Sequence, residues 1–405
     1  MHPRTLVYSL IMLVTVSCQA QPTEQSYTPK NFRFKPIPDS TKQRITAAVQ
    51  EEYQKTLGKV AFSGGIIIAK NGEILLEDYK GYYNQRTGEL MDANTPIHLA
   101  SVSKTFTAMA VLHLWEQGKF GLDDDVRTHF PSFPYEGMTI KMLLSHRSGM
   151  PNYLHFTNET KAVTTYRKAR KGRKIKVVKY VPVKDPFRPG LLTNQDILDF
   201  MAEKKPAIQS RPDTRFQYCN TNYVMLALLV EKITGQSFPQ YMKDSVFTPL
   251  GMKNSFVFSK ADTGRYIPSY MYNNRVYGLE RLDCTYGDKN IYSTPREMLI
   301  WDKVLYDGSF VKNSTLSMAF EPLSNERKSQ HNYGLGWRMI IHEDSSKIVY
   351  HNGWWHGNNT VFTRLIEDTA TVIILGNKFN KMIYSLGRRF PLILTNDADS
   401  TDFEE

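Results

Sequence analysis

The sequence predicts an α/β protein of the α+β type. Strands from both ends of the domain form one antiparallel sheet, helices flank it, and a mainly helical subdomain is inserted at about 105–285. Three observations carry this. Residues 66–76 hold two apolar runs separated by Asn71-Gly72, a pair suited to the left-handed angles of a tight hairpin turn. Residues 348–351, 360–366 and 371–376 are short β-rich runs, the latter two joined by Glu367-Asp368, and read as an antiparallel meander. Between hairpin and meander lie apolar helices, of which the stretch 98–115 is the most continuous.

A chain of 405 residues with 41% hydrophobic content can bury a sizeable core, and its composition excludes a fibre, a disordered chain or a membrane bundle. Residues 1–17 read as a signal peptide: a short start with Arg4, then an apolar run at 6–16 too short to span a bilayer. Ser17 before Cys18 resembles a bacterial lipoprotein signal, with Thr15 where leucine is usual. On that reading Cys18 is lipidated and the protein is exported, anchored in a membrane on the periplasmic side or at the cell surface. The rival is an ordinary cleaved signal peptide. Residues 18–44, rich in Gln, Thr, Pro and Lys, then serve as a tether, 45–395 as the domain and 396–405 as an acidic tail. With Cys18 modified, Cys219 and Cys284 allow at most one disulfide, which a core of this size does not need. Neither Cys-x-x-Cys nor His-Glu-x-x-His occurs, so no metal and no cofactor is expected.

The central helix begins near Ser101. Val102, Phe106, Met109, Leu112 and Trp115 recur at three- and four-residue intervals, the other faces are also apolar, and Gly118 closes the helix. Ser101 lies where unpaired backbone N–H groups and the positive end of the helix dipole stabilise an oxyanion. Lys104, three residues on, places its amine on the same face. Residues 122–125 read as a turn, 138–151 as a short helix stopped by Gly149 and Pro151, 222–233 as an apolar helix stopped by Gly235, and 295–306 as another, capped by Thr294.

Residues 161–184 carry ten Lys or Arg and no acid, nearly all of the chain's formal +11. They read as a solvated insertion loop, or as a contact with an anionic surface such as lipid headgroups or cell-wall polymers. A single basic loop in an exported protein without a nucleic-acid-binding fold argues against nucleic acid.

Ser-x-x-Lys is weak alone, since Ser309-Phe-Val-Lys312 matches it too, but Ser309 follows a turn whereas Ser101 opens a buried helix. Tyr218-Cys219-Asn220 precedes an apolar helix, a setting that Tyr82-Tyr83-Asn84 and Tyr272-Asn273-Asn274 lack. His351-Asn352-Gly353 ends a strand. In these three motifs, in this order, the sequence resembles the serine β-lactamase and penicillin-binding family, in the branch of class C β-lactamases, D-alanyl-D-alanine carboxypeptidases and related esterases. Framework segments at 122–125, 143–151, 292–295 and 333–337 are similar as well.

The resemblance implies a β-lactamase/transpeptidase-like fold and an acyl-enzyme mechanism on a small-molecule or peptide substrate. It makes Ser101 the nucleophile, Lys104 its activating partner and Tyr218 the proton shuttle to the leaving group. Asn220 positions the substrate amide, and His351 stands where many relatives carry lysine, contributing a hydrogen bond or charge beside Tyr218. The backbone N–H groups of Ser101 and Trp354 form the oxyanion hole. Gly353 keeps the strand edge clear for substrate, while Trp354 and Trp355, where relatives carry small residues, narrow the cleft or stack on substrate. Asp213 replaces a glycine of the family pattern ahead of Tyr218. The implied activity is a serine hydrolase acting on an amide, peptide or ester bond. A catalytically silent, membrane-tethered binder of cell-wall peptides and a true β-lactamase are the alternatives.

Overall fold

The computed structural model describes residues 29–157, 160–168, 174–182 and 190–395. Cys18, the first part of the expected tether, parts of the basic segment and the acidic tail lie outside these residues. In chain order the elements that build the site and its support are α1 (Asp39–Lys55), β1 (Gly64–Lys70), β2 (Glu73–Lys80), β3 (Ile97–His98), α2 (Ser103–Glu116), β4 (Thr160–Lys168), β5 (Lys174–Pro182) and α3 (Asn220–Thr234). They continue with β6 (Ile291–Ser293), α4 (Pro295–Asp307), β7 (His331–Tyr333), β8 (Arg338–Ile341), β9 (Lys347–Trp355), β10 (Asn358–Leu365), β11 (Ala370–Gly376) and α5 (Met382–Leu394).

One seven-stranded sheet runs β7-β8-β9-β10-β11-β1-β2, antiparallel throughout. The first and last strands of the domain meet, Gly64 opposite Gly376, which closes the sheet across the helical insertion as expected. Asn71 and Gly72 turn the first hairpin with φ of 50° and 74°, the left-handed pair that the turn needs. Side chains alternate across a strand, and β1 is apolar in both registers, so both faces must be covered. Ile66 and Ile68 pack with Ile45, Val49 and Tyr53 of α1 and Leu386 and Phe390 of α5. Ile67 faces the larger core of α2, α3 and α4.

Eleven of the fourteen residues of α2 are buried, so the helix keeps almost no polar face. It begins two residues later than the sequence suggests, after a 3-10 turn over Ala100–Val102. Phe106 stacks on Trp301 of α4 at 4.4 Å. Thr294 caps α4 by accepting from the Glu297 N–H at 3.2 Å, and Gly235 ends α3 with φ of 70°. The buried Asp302 of α4 accepts from Arg364 Nε of β10 at 2.5 Å, fastening that helix to the sheet.

Two expectations change. The tether drawn at 18–44 ends early, because α1 starts at Asp39 and Phe32 already stacks on Tyr306 at 5.3 Å. The overlap is residues 39–44, all polar, while the buried stripe of the helix, Ile45, Val49 and Tyr53 at four-residue intervals, lies just beyond it. The basic segment at 161–184 is not a plain loop. Strands β4 and β5 pair antiparallel, from Thr160 opposite Pro182 to Lys168 opposite Lys174, as a sheet of their own. Among the described residues no helix is long and apolar enough to cross a membrane.

Candidate active site

Strand β3 runs into the 3-10 turn through Ala100, whose φ of 48° lies in the left-handed region, and the turn delivers Ser101 into a cleft of about 790 Å³. Ser101 Oγ is 3.0 Å from Lys104 Nζ and 3.0 Å from the Tyr218 hydroxyl. Lys104 has no solvent exposure, and a buried polar nitrogen is tolerated only when it finds hydrogen-bond partners. A second bond goes to the Asp288 carbonyl at 2.7 Å, and the rings of Tyr218 and Tyr223 lie 5.1 and 5.6 Å from the nitrogen. The i, i+3 spacing, running from the 3-10 turn into α2, therefore brings the amine to the hydroxyl, with a carbonyl 184 residues away completing its contacts.

Tyr218 stands just ahead of α3 and is held on two sides. The His146 ring lies 4.3 Å away, and its Nδ1 accepts from the Cys219 N–H at 3.2 Å. Burial, reinforced by Lys104 and Arg338, keeps His146 neutral, well below the usual imidazole range. On the other side the Arg338 guanidinium lies 5.1 Å from the Tyr218 ring and 5.8 Å from that of Tyr333. The loop leading to Tyr218 survives Asp213 in place of glycine. Asp213 takes φ of 59°, and Arg147 donates to its carboxylate at 2.5 Å and its carbonyl at 2.8 Å. Asn220, the first residue of α3, lines the cleft, and its Oδ1 is buried without a hydrogen-bond partner among the described residues.

Strand β9 forms the opposite wall. Strand β8 stops pairing where Arg338 meets Tyr350, while β9 continues to Trp355, so among the described residues only β10 pairs with 351–355, along one edge. A Cβ on Gly353 would meet the Leu99 carbonyl oxygen at 2.5 Å and Ala100 Cβ at 2.9 Å. The glycine thus lets β9 lie against the nucleophile turn, and it also lines the cleft. Trp354 is 65% exposed at the rim. Trp355 is fixed as wall, donating to Asp283 Oδ1 at 2.7 Å with Lys289 Nζ 4.8 Å from its ring.

Of the two parts expected of His351, hydrogen bonding or charge, the structure supports only the first. The residue is fully buried behind Tyr218, with ring centres 6.4 Å apart, donates from Nδ1 to the Asn352 carbonyl at 2.8 Å and accepts at Nε2 from the Tyr333 hydroxyl at 3.4 Å. Burial and the nearby Arg338 and Lys104 hold it well below the usual imidazole range, so it brings no charge to the cleft. The half-buried Arg338, which the sequence reading passed over, is the cation that lines the cleft there. Its signal was thin: one arginine directly after the framework segment 333–337. Ser309 and Lys312 are exposed beyond α4, and Cys219 and Cys284 are buried thiols with no disulfide among the described residues.

A family model described as Beta-lactamase matches residues 47–388. The chain is 31% identical over 343 residues to Penicillin-binding protein 4* of Bacillus subtilis (strain 168), covering 80% of this chain and 70% of that protein. A penicillin binding protein from Bacillus halodurans shares the fold with a TM-score of 0.67 at 20% identity, over 86% of this chain and 98% of that one. D-amino acid amidase from Ochrobactrum anthropi SV3, solved with D-phenylalanine, gives a TM-score of 0.65 at 20% identity, over 89% of this chain and 100% of that one.

Proposed function

The chain belongs to the β-lactamase family and is a serine hydrolase, and from that premise we propose that it cleaves an amide, peptide or ester bond through a Ser101 acyl-enzyme. The observation that carries this reading is a single hydroxyl 3.0 Å from both a buried amine and a phenol, at the wall of an open cleft. Ser101 Oγ attacks the carbonyl carbon as its proton passes to Lys104 in its amine form or to Tyr218 in its phenolate form. The backbone N–H groups of Ser101 and Trp354 meet the oxyanion. Tyr218 then returns a proton to the leaving group as its bond to carbon breaks, and water repeats the sequence on the ester. Asn220 Oδ1, lacking a partner, accepts from a substrate N–H. The open edge of residues 351–355 offers main-chain hydrogen bonds to an extended substrate.

Arg338 narrows the substrate class. It sits beside the group that protonates the leaving group, and no carboxylate pairs with it among the described residues. A leaving group that carries a carboxylate suits it, as does the C-terminal residue of a peptide. Arg338→Met should raise KM for a peptide with a free C-terminal carboxylate about ten- to a hundredfold, the range for losing one charge-assisted bond, and leave a neutral ester little changed. Equal losses on both substrates would remove Arg338 from recognition. The same cation suits the carboxylate of a penicillin, so β-lactam turnover is the second reading; steady hydrolysis rather than a stable adduct would establish it. A silent binder has no need of the three-atom arrangement at Ser101. A substrate-library screen against a Ser101→Ala control tests the activity as a whole.

A further inference from the structure

The residue before the nucleophile is held in a conformation that alanine disfavours, and the group that holds it is a buried histidine two residues back. Ala100 is fully buried with φ of 48°. In that region an L side chain crowds the backbone, whereas glycine enters it freely. The Ala100 N–H donates to Nδ1 of His98, two residues back, at 3.0 Å. His98 is itself buried, and its Nε2 lies 2.9 Å from Asn290 Oδ1. The Asn290 amide cannot turn round, because its Nδ2 already donates to the Asp283 carbonyl at 2.7 Å and the Phe258 carbonyl at 3.3 Å. Oδ1 must therefore accept, Nε2 must carry the proton, and Nδ1 is left with the lone pair that Ala100 needs.

Other bonds anchor the same loop to the same turn. The Leu99 N–H donates to the Ile291 carbonyl at 2.8 Å, the Ile291 N–H to Ser103 Oγ at 3.1 Å, and Lys104 to the Asp288 carbonyl at 2.7 Å. The groups facing His98 are Lys289 and His356, which disfavour its protonation, and Asp283 and Asn290, which favour it. Burial outweighs them and takes its pKa down to about 4, so the acceptor persists at neutral pH.

We propose that His98, its tautomer set by Asn290, is a positioning residue for catalysis: it locks Ala100 in the left-handed conformation that aims the Ser101 hydroxyl and N–H into the cleft. This rests on the acyl-enzyme reading above. His98 does not touch substrate. Its effect passes through one backbone torsion, and that makes it separable from an ordinary packing role.

The test is the rate of acylation by a fluorophosphonate probe, measured on the full chain alongside thermal melts. His98→Leu removes the acceptor and should slow labelling about a hundredfold, the scale of a misplaced reacting group. His98→Asn should retain a rate within about tenfold of wild type, because an asparagine Oδ1 accepts from the N–H two residues on. His98→Leu with Ala100→Gly should recover most of the loss, since glycine reaches the left-handed region without a retaining bond. A role in folding alone would lower the melting temperature and show no such rescue. His98→Leu at the wild-type rate, or a folded double variant no faster than His98→Leu, would overturn the inference and leave the acyl-enzyme reading intact. If His98→Leu does not fold, labelling of the double variant within tenfold of wild type supports the inference, and a slow or unfolded double variant overturns it. Wild-type protein that takes no label contradicts the acyl-enzyme reading and removes the basis of both.

Discussion

Lys104→Ala should slow acylation of Ser101 by about a thousandfold, within the 10²–10⁴ range that a positioned general base contributes. Its amine and the Tyr218 hydroxyl are the two groups bonded to Ser101 Oγ, and the amine is the one anchored from behind, by the Asp288 carbonyl. The fold should survive, because alanine suits a helix and the losses are the packing of the lysine stem and one buried carbonyl left without its donor, the latter about 1–3 kcal/mol. Tyr218→Phe should have a smaller effect on acylation than Lys104→Ala, since the ring and its contacts remain. Stopped-flow or gel-based labelling beside a thermal melt separates chemistry from unfolding. A folded Lys104→Ala protein that labels at the wild-type rate would move the base role to Tyr218.

Asp302→Ala should destabilise the protein by about 3–5 kcal/mol, the cost of stranding one member of a buried ion pair. Arg364 has no exposure, and its Nε and Nη2 both lead to Asp302. The arginine's other support is the Tyr306 ring, 4.6 Å from the guanidinium. The double variant Asp302→Leu with Arg364→Met should recover much of the loss, because two apolar side chains need no counter-charge. Urea melts report this as a lower midpoint at constant slope. A single variant as stable as wild type would show that the pair does not hold α4 on the sheet.

The parts of this molecule legible in the sequence are those written locally. The Asn71-Gly72 hairpin, the meander at the end and the buried helix after Ser101 each carry their own turn chemistry or periodicity. Lys104 was legible because three residues is about one turn, whether 3-10 or α, so the two side chains share a face across the junction. Helix α1 was missed although Ile45, Val49 and Tyr53 were in plain register, since its first six residues, 39–44, are polar and read as the end of the tether. Helix α5 carries the same kind of stripe in Ile383, Leu386, Phe390 and Leu394, but Pro391 inside it argues against a helix in sequence alone. The rest depends on distant backbone. Asp288 acts through its carbonyl, which no residue type reveals, and Arg338 reaches the cleft through the register of β8 on β9. His351 shows the converse. Its motif position was right for a strand beside Tyr218, but burial decides its charge, and burial comes only with the fold.

The central claim is that Ser101 is the atom acylated. A fluorophosphonate or penicillin adduct, digested and mapped by mass spectrometry, should fall on the peptide containing Ser101 and vanish in Ser101→Ala with the melting temperature little changed. An adduct on Ser309 or any other serine, or undiminished labelling of Ser101→Ala, would contradict the account at its first residue.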